Sequence, residues 1–192
     1  RCPARCEGRT HDRRHPSCGM TMSFSTPVVT AYLGLGSNLG DREANIRRAL
    51  ELLPLRGARV LVASPLYETE PWGVLDQPRF LNAACVVHTS DMPHQLLRHL
   101  KEIERCLGRV PSVRYGPRPI DLDILLYGDL CIRTATLTIP HPGMLQRATV
   151  LVPLADIAPQ VVHPITGLTI ALHLRQLQPV SDIAPYPPGL TS

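Results

Sequence analysis

Lysine is almost missing from this chain. Of its twenty basic residues only Lys101 is lysine, and no Gly-Lys-Ser/Thr triplet exists, which excludes a Walker-type phosphate loop. No apolar run approaches the roughly 18 residues a membrane-spanning helix needs, and the N-terminal stretch has no apolar segment of secretory-signal length. Net positive charge is also scarce outside that stretch. Residues 1–19 hold five arginines against Glu7 and Asp12, so removing that surplus of three from the overall +4 leaves the rest near +1. A nearly neutral body argues against a dedicated nucleic-acid surface. Cysteine lacks motif spacing: Cys85, Cys106 and Cys131 sit singly in apolar runs, which predicts buried, reduced thiols in a cytosolic protein. His88, His94 and His99 share no metal-ligand spacing and read as surface residues.

What is present suits one domain of ordinary size plus spare chain: 192 residues, 44% of them hydrophobic. A leader over residues 1–27 shows no hydrophobic periodicity and is expected to be disordered, with Met20 or Met22 as the expected start of translation. Its Cys2, Cys6, His11, His15 and Cys18 allow a zinc cluster or a loose tail; the spacing matches no compact zinc module. A Pro-rich tail over 179–192, with Pro179, Pro185, Pro187 and Pro188, is expected to pack against nothing.

The body, 28–178, alternates periods. Val28–Gly36 reads as a buried strand ending in a Gly-Ser-Asn turn, and Asp41–Leu53 as a helix with Ile46, Ala49, Leu50 and Leu53 on one face. Strands are predicted at Arg59–Tyr67, Phe80–Thr89 and Ile120–Tyr127. A second helix has Asp91 as cap, Pro93 in its first turn, a stripe of Leu96, Leu100, Ile103 and Leu107, and Gly108 as its end. Long loops at Glu68–Arg79 and Arg109–Pro119 are of the length that usually carries function. Further helices near Met144–Ile157 and Leu168–Leu177 complete an α+β, ferredoxin-like β-α-β-β-α-β order with C-terminal additions.

Asp121 and Asp123 are two apart on a strand, so both carboxylates share a face while Leu122 points away. Two repelling aspartates suit a divalent cation that also meets substrate phosphates, or else a charged, solvent-facing strand. Arg118, between two prolines beside them, points to phosphate. Ile139-Pro-His141-Pro with Arg147 reads either as a phosphate grip, with Arg147 one to two turns into the next helix, or as a capped helix start. Gly34-Leu-Gly36-Ser-Asn38-Leu-Gly40 is not a dinucleotide fingerprint: its third glycine falls one residue late, and the second strand is expected to run antiparallel. A turn with Asn38 or Asp41 capping the helix fits better. Trp72, Phe80 and Tyr115 near the loops, with the Asn82 amide, suit a planar heterocycle or ordinary packing.

Together YLGLGSNLGD, SPLYETEPWGV, QPRFLNAA, EIERCLGR, RYGPRPIDLDILLYG, IPHPGMLQR and VPLADIAP, in that order over residues 31–177, resemble the 6-hydroxymethyl-7,8-dihydropterin pyrophosphokinase family of folate biosynthesis. The resemblance implies a three-layer α/β/α fold. It implies transfer of pyrophosphate from ATP to the pterin hydroxymethyl group, yielding AMP, by a cytoplasmic monomer using two magnesium ions. On it, Asp121 and Asp123 are the metal ligands, with Arg118, Arg109 and Arg114 completing the catalytic set and Asp121 helping to deprotonate the hydroxyl. Arg118, His141 and Arg147 contact the triphosphate; Leu97, Lys101, Glu104, Ile124 and Thr138 lie near ribose and base. Asn82 bonds the pterin and Phe80 stacks on it, Thr69, Pro71, Trp72 and Gly73 line its pocket, and Tyr115 joins Arg109 and Arg114 in a closing loop. Three features depart from the family. Thr149 stands where a phenylalanine usually completes the pterin sandwich, a loss of about 1 kcal/mol. The second loop is short, leaving Arg114 as its lid arginine, and the leader has no counterpart. The competing class is a degenerate domain that binds nucleotide or pterin without turnover.

Overall fold

The computed structural model describes residues 27–71, 76–111, 116–177, 180 and 183–187. The elements run β1 (Val29–Ser37), α1 (Arg42–Leu52), β2 (Ala58–Ala63), β3 (Tyr67–Thr69), β4 (Phe80–Thr89), α2 (Pro93–Cys106), β5 (Asp121–Tyr127), β6 (Ile132–Arg133), β7 (Thr138–Ile139), α3 (Ala148–Ile157), α4 (Ile170–Gln176) and β8 (Ile183–Pro185). The main sheet orders as β5-β1-β4, with β2 and β3 both pairing the far side of β4 and β8 pairing β3. Every pair in it is antiparallel. Strands β1, β2, β4 and β5 with α1 and α2 form the expected ferredoxin-like core. The second strand is a correction: β2 runs in the same sense as β1, because β4 lies between them and opposes both.

β1 explains the three layers. Ala31, Leu33 and Leu35 face one side and join Ile46 of α1 and Leu96, Leu100 and Ile103 of α2 in the larger core cluster. Tyr32 packs on the other side, against the cluster that Leu151 and Leu154 of α3 and Ile170 of α4 build. Each fully buried leucine or isoleucine here contributes about 2 kcal/mol by leaving water. α1 starts where Asp41 accepts a hydrogen bond from the Ala44 amide at 3.0 Å, so Asp41, not Asn38, is its cap.

Several boundaries differ from the sequence expectation, each for a local reason. The strand over Arg59–Tyr67 is two strands, because Ser64 exchanges bonds with Ala84 and Pro65 has no amide to continue the ladder. Met92 is the N-cap of α2; Asp91 instead accepts from, and pairs with, His99 Nδ1 at 2.8 Å, which removes His99 from the free surface. The helix over Met144–Ile157 is a 3₁₀ turn, Met144–Gln146, followed by α3, since Arg147 is extended and stands at the N-cap, not inside the helix. Cys85 is buried, but Cys106 and Cys131 are exposed. The tail does pack: β8 adds a strand to the sheet and Tyr186 rests against the larger core cluster. Residues 1–26, Pro179 and Pro188 lie outside the described residues. Among those described, no helix is long and apolar enough to cross a membrane.

Candidate active site

A cavity of about 350 Å³ opens between the sheet and the start of α3. Its floor is a set of cross-strand rows. Asp121, Gly36 and Asn82 are register partners across β5, β1 and β4, and Phe80 and Thr69 are partners across β4 and β3. Partners in an antiparallel sheet share a face, so these side chains rise together into the cavity. Gly36 lies between the acid and the amide. A Cβ there would stand 3.1 Å from Asn82 Oδ1, so the glycine keeps the floor open and is a strand residue, not part of a turn.

Asn38 ties the surrounding loops together. It is fully buried, exchanges bonds with the Arg118 backbone (Arg118 N–H to Oδ1, 2.7 Å; its own amide to Arg118 O, 3.1 Å), and its Nδ2 donates to Gln77 Oε1 and Pro78 O. The two long loops therefore meet at one asparagine, and Arg118 is set beside Asp121. Sequence reasoning offered Asn38 or Asp41 as the cap; an asparagine between two loops of unknown packing carries no pattern that identifies this role.

At the β5 end the charges interlock. Arg118 Nη2 lies 2.8 Å from Asp121 Oδ2, and Arg109 Nη1 lies 2.5 Å from Oδ1 and 2.7 Å from Glu104 Oε1. Glu104 is buried and also accepts from Lys101 Nζ at 2.7 Å and from the Leu122 amide at 2.8 Å. Lys101 Nζ donates to Leu122 O and stands 3.9 Å from Asp123 Oδ1. Burial alone would raise Asp121, but the Arg118 and Arg109 guanidiniums overcome it and hold the carboxyl below its usual range. Asp123 is pushed up, by burial and then by the Asp121 charge. Both Asp121 oxygens being engaged by guanidiniums argues against Asp121 as the proton acceptor.

His141 is fixed by its amide to Leu125 O at 2.9 Å, and its Nδ1 accepts from the Gly143 amide at 3.2 Å. Burial lowers its pKa, so the neutral ring keeps its proton on Nε2. Arg147 lines the same cavity. Arg118 Nε is buried with no hydrogen-bond partner among the described residues, an orphan donor that fits an anion. Arg118 also lies over the Phe80 ring, 5.4 Å from its centroid.

The structure thus gathers Asp121, Asp123, Arg118, His141, Arg147, Phe80, Asn82, Thr69 and Pro71 around one cavity, together with Thr149. Asn82 Nδ2 donates to Thr69 Oγ1 at 2.7 Å. Lys101 and Glu104 lie outside the cavity, against the free edge of β5, and reach it through Arg109 and Asp123. Leu97 and Ile124 pack in the core cluster on the opposite face and Thr138 lies on β7, so none of the three lines the cavity. Trp72, Gly73, Arg114 and Tyr115 lie outside the described residues. Ile183 lines the cavity as well. It was missed because it belongs to the Pro-rich tail, and a three-residue strand that itself contains Pro185 gives no periodic signal.

A model of 7,8-dihydro-6-hydroxymethylpterin-pyrophosphokinase matches residues 32–159. The chain is 47% identical over 153 residues to 2-amino-4-hydroxy-6-hydroxymethyldihydropteridine pyrophosphokinase of Methylorubrum extorquens, covering 79% of this chain and 96% of the relative. It is 48% identical over 159 residues to the folic acid synthesis protein fol1 of Pneumocystis carinii, covering 83% of this chain but 21% of that protein. The chain spans 20% to 28% of the length of this and two other long relatives. Among solved structures, the Plasmodium falciparum HPPK-DHPS wild type with pteroate superposes with a TM-score of 0.66 at 19% identity, covering 81% of this chain and 43% of that one, a likeness of fold. With two thirds of its residues matched by the family model and near-half identity to a relative of its own size, the chain belongs to the 7,8-dihydro-6-hydroxymethylpterin-pyrophosphokinase family.

Proposed function

We propose that this chain is an ATP-dependent diphosphotransferase. The hydroxyl of 6-hydroxymethyl-7,8-dihydropterin attacks the β-phosphorus of ATP, the bond from that phosphorus to the α,β-bridging oxygen breaks, and AMP leaves, a step of folate synthesis. One observation carries the reading: an acidic pair with phosphate-seeking side chains shares a cavity with an amide and a ring two strands away. Such a transfer needs positioning and charge neutralisation more than covalent chemistry.

The acidic pair fits magnesium. It offers hard oxygen donors, and Asp123 is raised by burial and then by the Asp121 charge, a repulsion that a cation would relieve. Among the described residues no third His, Cys, Asp or Glu closes a cage, so ATP phosphates and water complete the shell, as magnesium prefers. We assign two ions to Asp121 and Asp123; when bound, they neutralise phosphate charge. The chain's own groups then do the holding. Arg118, whose Nε has no partner among the described residues, the His141 Nε2–H and Arg147 bind the triphosphate, and Arg109 and Arg114 are assigned to the transferring group. For the ribose and base we assign Lys101 and Glu104, beside the β5 edge, with Leu97, Ile124 and Thr138, none of which lines the cavity described above. Asn82, Phe80, Thr69, Pro71, Trp72, Gly73 and Tyr115 serve the heterocycle. The described cysteines are free thiols, which suits work in the cytoplasm.

A coupled assay of AMP formation from ATP with the pterin alcohol tests this. Magnesium-dependent AMP release that requires the pterin is expected. Binding of both ligands without AMP release would instead favour the degenerate binder, the reading that Thr149 supports.

A further inference from the structure

We infer that β8 is a wall of the heterocycle end of the cavity and that Ile183 is a specificity-determining contact for the pterin, an inference that rests on the function proposed above. Ile183 lies beyond the residues 32–159 that the family model matches. The register places it nonetheless. Phe80 pairs Thr69 across β4 and β3, and Thr69 pairs Ile183 across β3 and β8. The three form one row on the cavity face, with Phe80 and Ile183 two strand spacings apart, about 9–10 Å. All three line the cavity.

The middle of the row is low. Thr69 is small and buried, and its hydroxyl is tied to Asn82. A trough therefore runs over Thr69 with a ring on one bank and a branched aliphatic side chain on the other. The α3 side of the cavity brings Ala148, Thr149 and Val150, and no ring. Phe80 is already shared with the Arg118 guanidinium. Val150 and Leu125 also line the cavity, but the aliphatic side chain in the row of Phe80 and Thr69, on the far bank of that trough, is Ile183.

β8 is held in place without a ligand. The Tyr186 amide donates to Leu66 O at 2.8 Å, Tyr186 packs on the core cluster, and the Arg42 guanidinium stands 5.9 Å over its ring while bonding Glu68 at 2.8 Å. Within β8, Ile183 is half-buried whereas Ala184 and Pro185 are exposed. A preformed wall of this kind adds affinity because its ordering precedes binding.

The test uses the full-length chain saturated with the magnesium complex of α,β-methylene-ATP and titrated calorimetrically with 6-hydroxymethylpterin. Ile183→Ala is expected to weaken pterin binding about five- to tenfold. Affinity for the nucleotide analogue should stay within twofold and the melting temperature should hold, and Ile183→Leu should recover most of the loss. Pterin affinity within twofold of wild type in Ile183→Ala overturns the inference. So does an equal loss for both ligands with a lowered melting temperature, since β8 would then only support the sheet. A wild-type protein that binds the nucleotide analogue but not the pterin overturns the proposed function itself, and the wall with it.

Discussion

At its β5 end the cavity is bounded by Arg118, Asp121 and Asp123, and Lys101, Glu104 and Arg109 behind them complete a network of charges that neutralise one another. At its β3–β8 end it is bounded by groups as distant in sequence as Thr69 and Ile183, and much of its shape comes from atoms that are missing, at Gly36 and Thr149. The first end is a balance of charge in which each deletion strands a partner. The second is a fit, in which small changes of volume decide affinity. Diphosphate transfer asks for both: fixed charge where the phosphates go, and a flat slot that sets which alcohol reaches them.

Substitution of the acids separates the ends most strongly. Asp123→Asn is expected to lower turnover by about 10³-fold or more while leaving the melting temperature unchanged or higher, because it removes a charge that repels Asp121. Asp121→Asn should lose turnover to a similar degree but also lower the melting temperature, because Arg109 and Arg118 lose their shared partner. Equal stabilities for the two variants, measured by calorimetric melting, would show that the charge balance has been misassigned. Pterin binding should survive Asp123→Asn.

Asn82→Ala addresses the opposite end. Loss of the amide should raise the KM for the pterin by about tenfold or more, with the KM for ATP within twofold, since this half-buried polar recognition group has no substitute there. A parallel rise in both constants breaks the division into two ends. Gly36→Ala is a subtler change at the border between them. Its Cβ would meet Asn82 Oδ1 at 3.1 Å, so Asn82 must shift by a few tenths of an ångström, and a rise of a few-fold in pterin KM is expected from steady-state kinetics. The smallest effect is a gain. Thr149→Phe should tighten pterin binding by roughly 0.5–1.5 kcal/mol if an offset stack forms, with ATP affinity unmoved. Unchanged or weaker pterin affinity in a folded variant means that the slot is already full.

The same contrast explains what could be read from the sequence. The aspartate pair, Arg118 and the His141 segment lie in short motifs whose spacing has a direct geometric meaning on a strand, and the amphipathic α1 and α2 announce their buried faces. The core therefore followed from periodicity, as did the side-by-side carboxylates. What stayed hidden depends on long-range register. Nothing local tells that Asn38 joins two loops or that Ile183 completes a row begun at Phe80, whereas the break between β2 and β3 does carry a local mark in Pro65. Residues 183–185 look like linker because the strand they pair, Tyr67–Thr69 of β3, is itself short and distant in sequence. Arg147 was placed a turn too deep because the break at its extended backbone follows from packing, not from a proline or glycine.

The group that moves from ATP is the central claim, and ³¹P NMR of the product mixture reads it directly. With ATP, magnesium and 6-hydroxymethyl-7,8-dihydropterin, the account predicts AMP and a pterin diphosphate in equal amounts, neither forming when the pterin is left out. Accumulation of ADP with a pterin monophosphate, or of free inorganic phosphate alone, would contradict it.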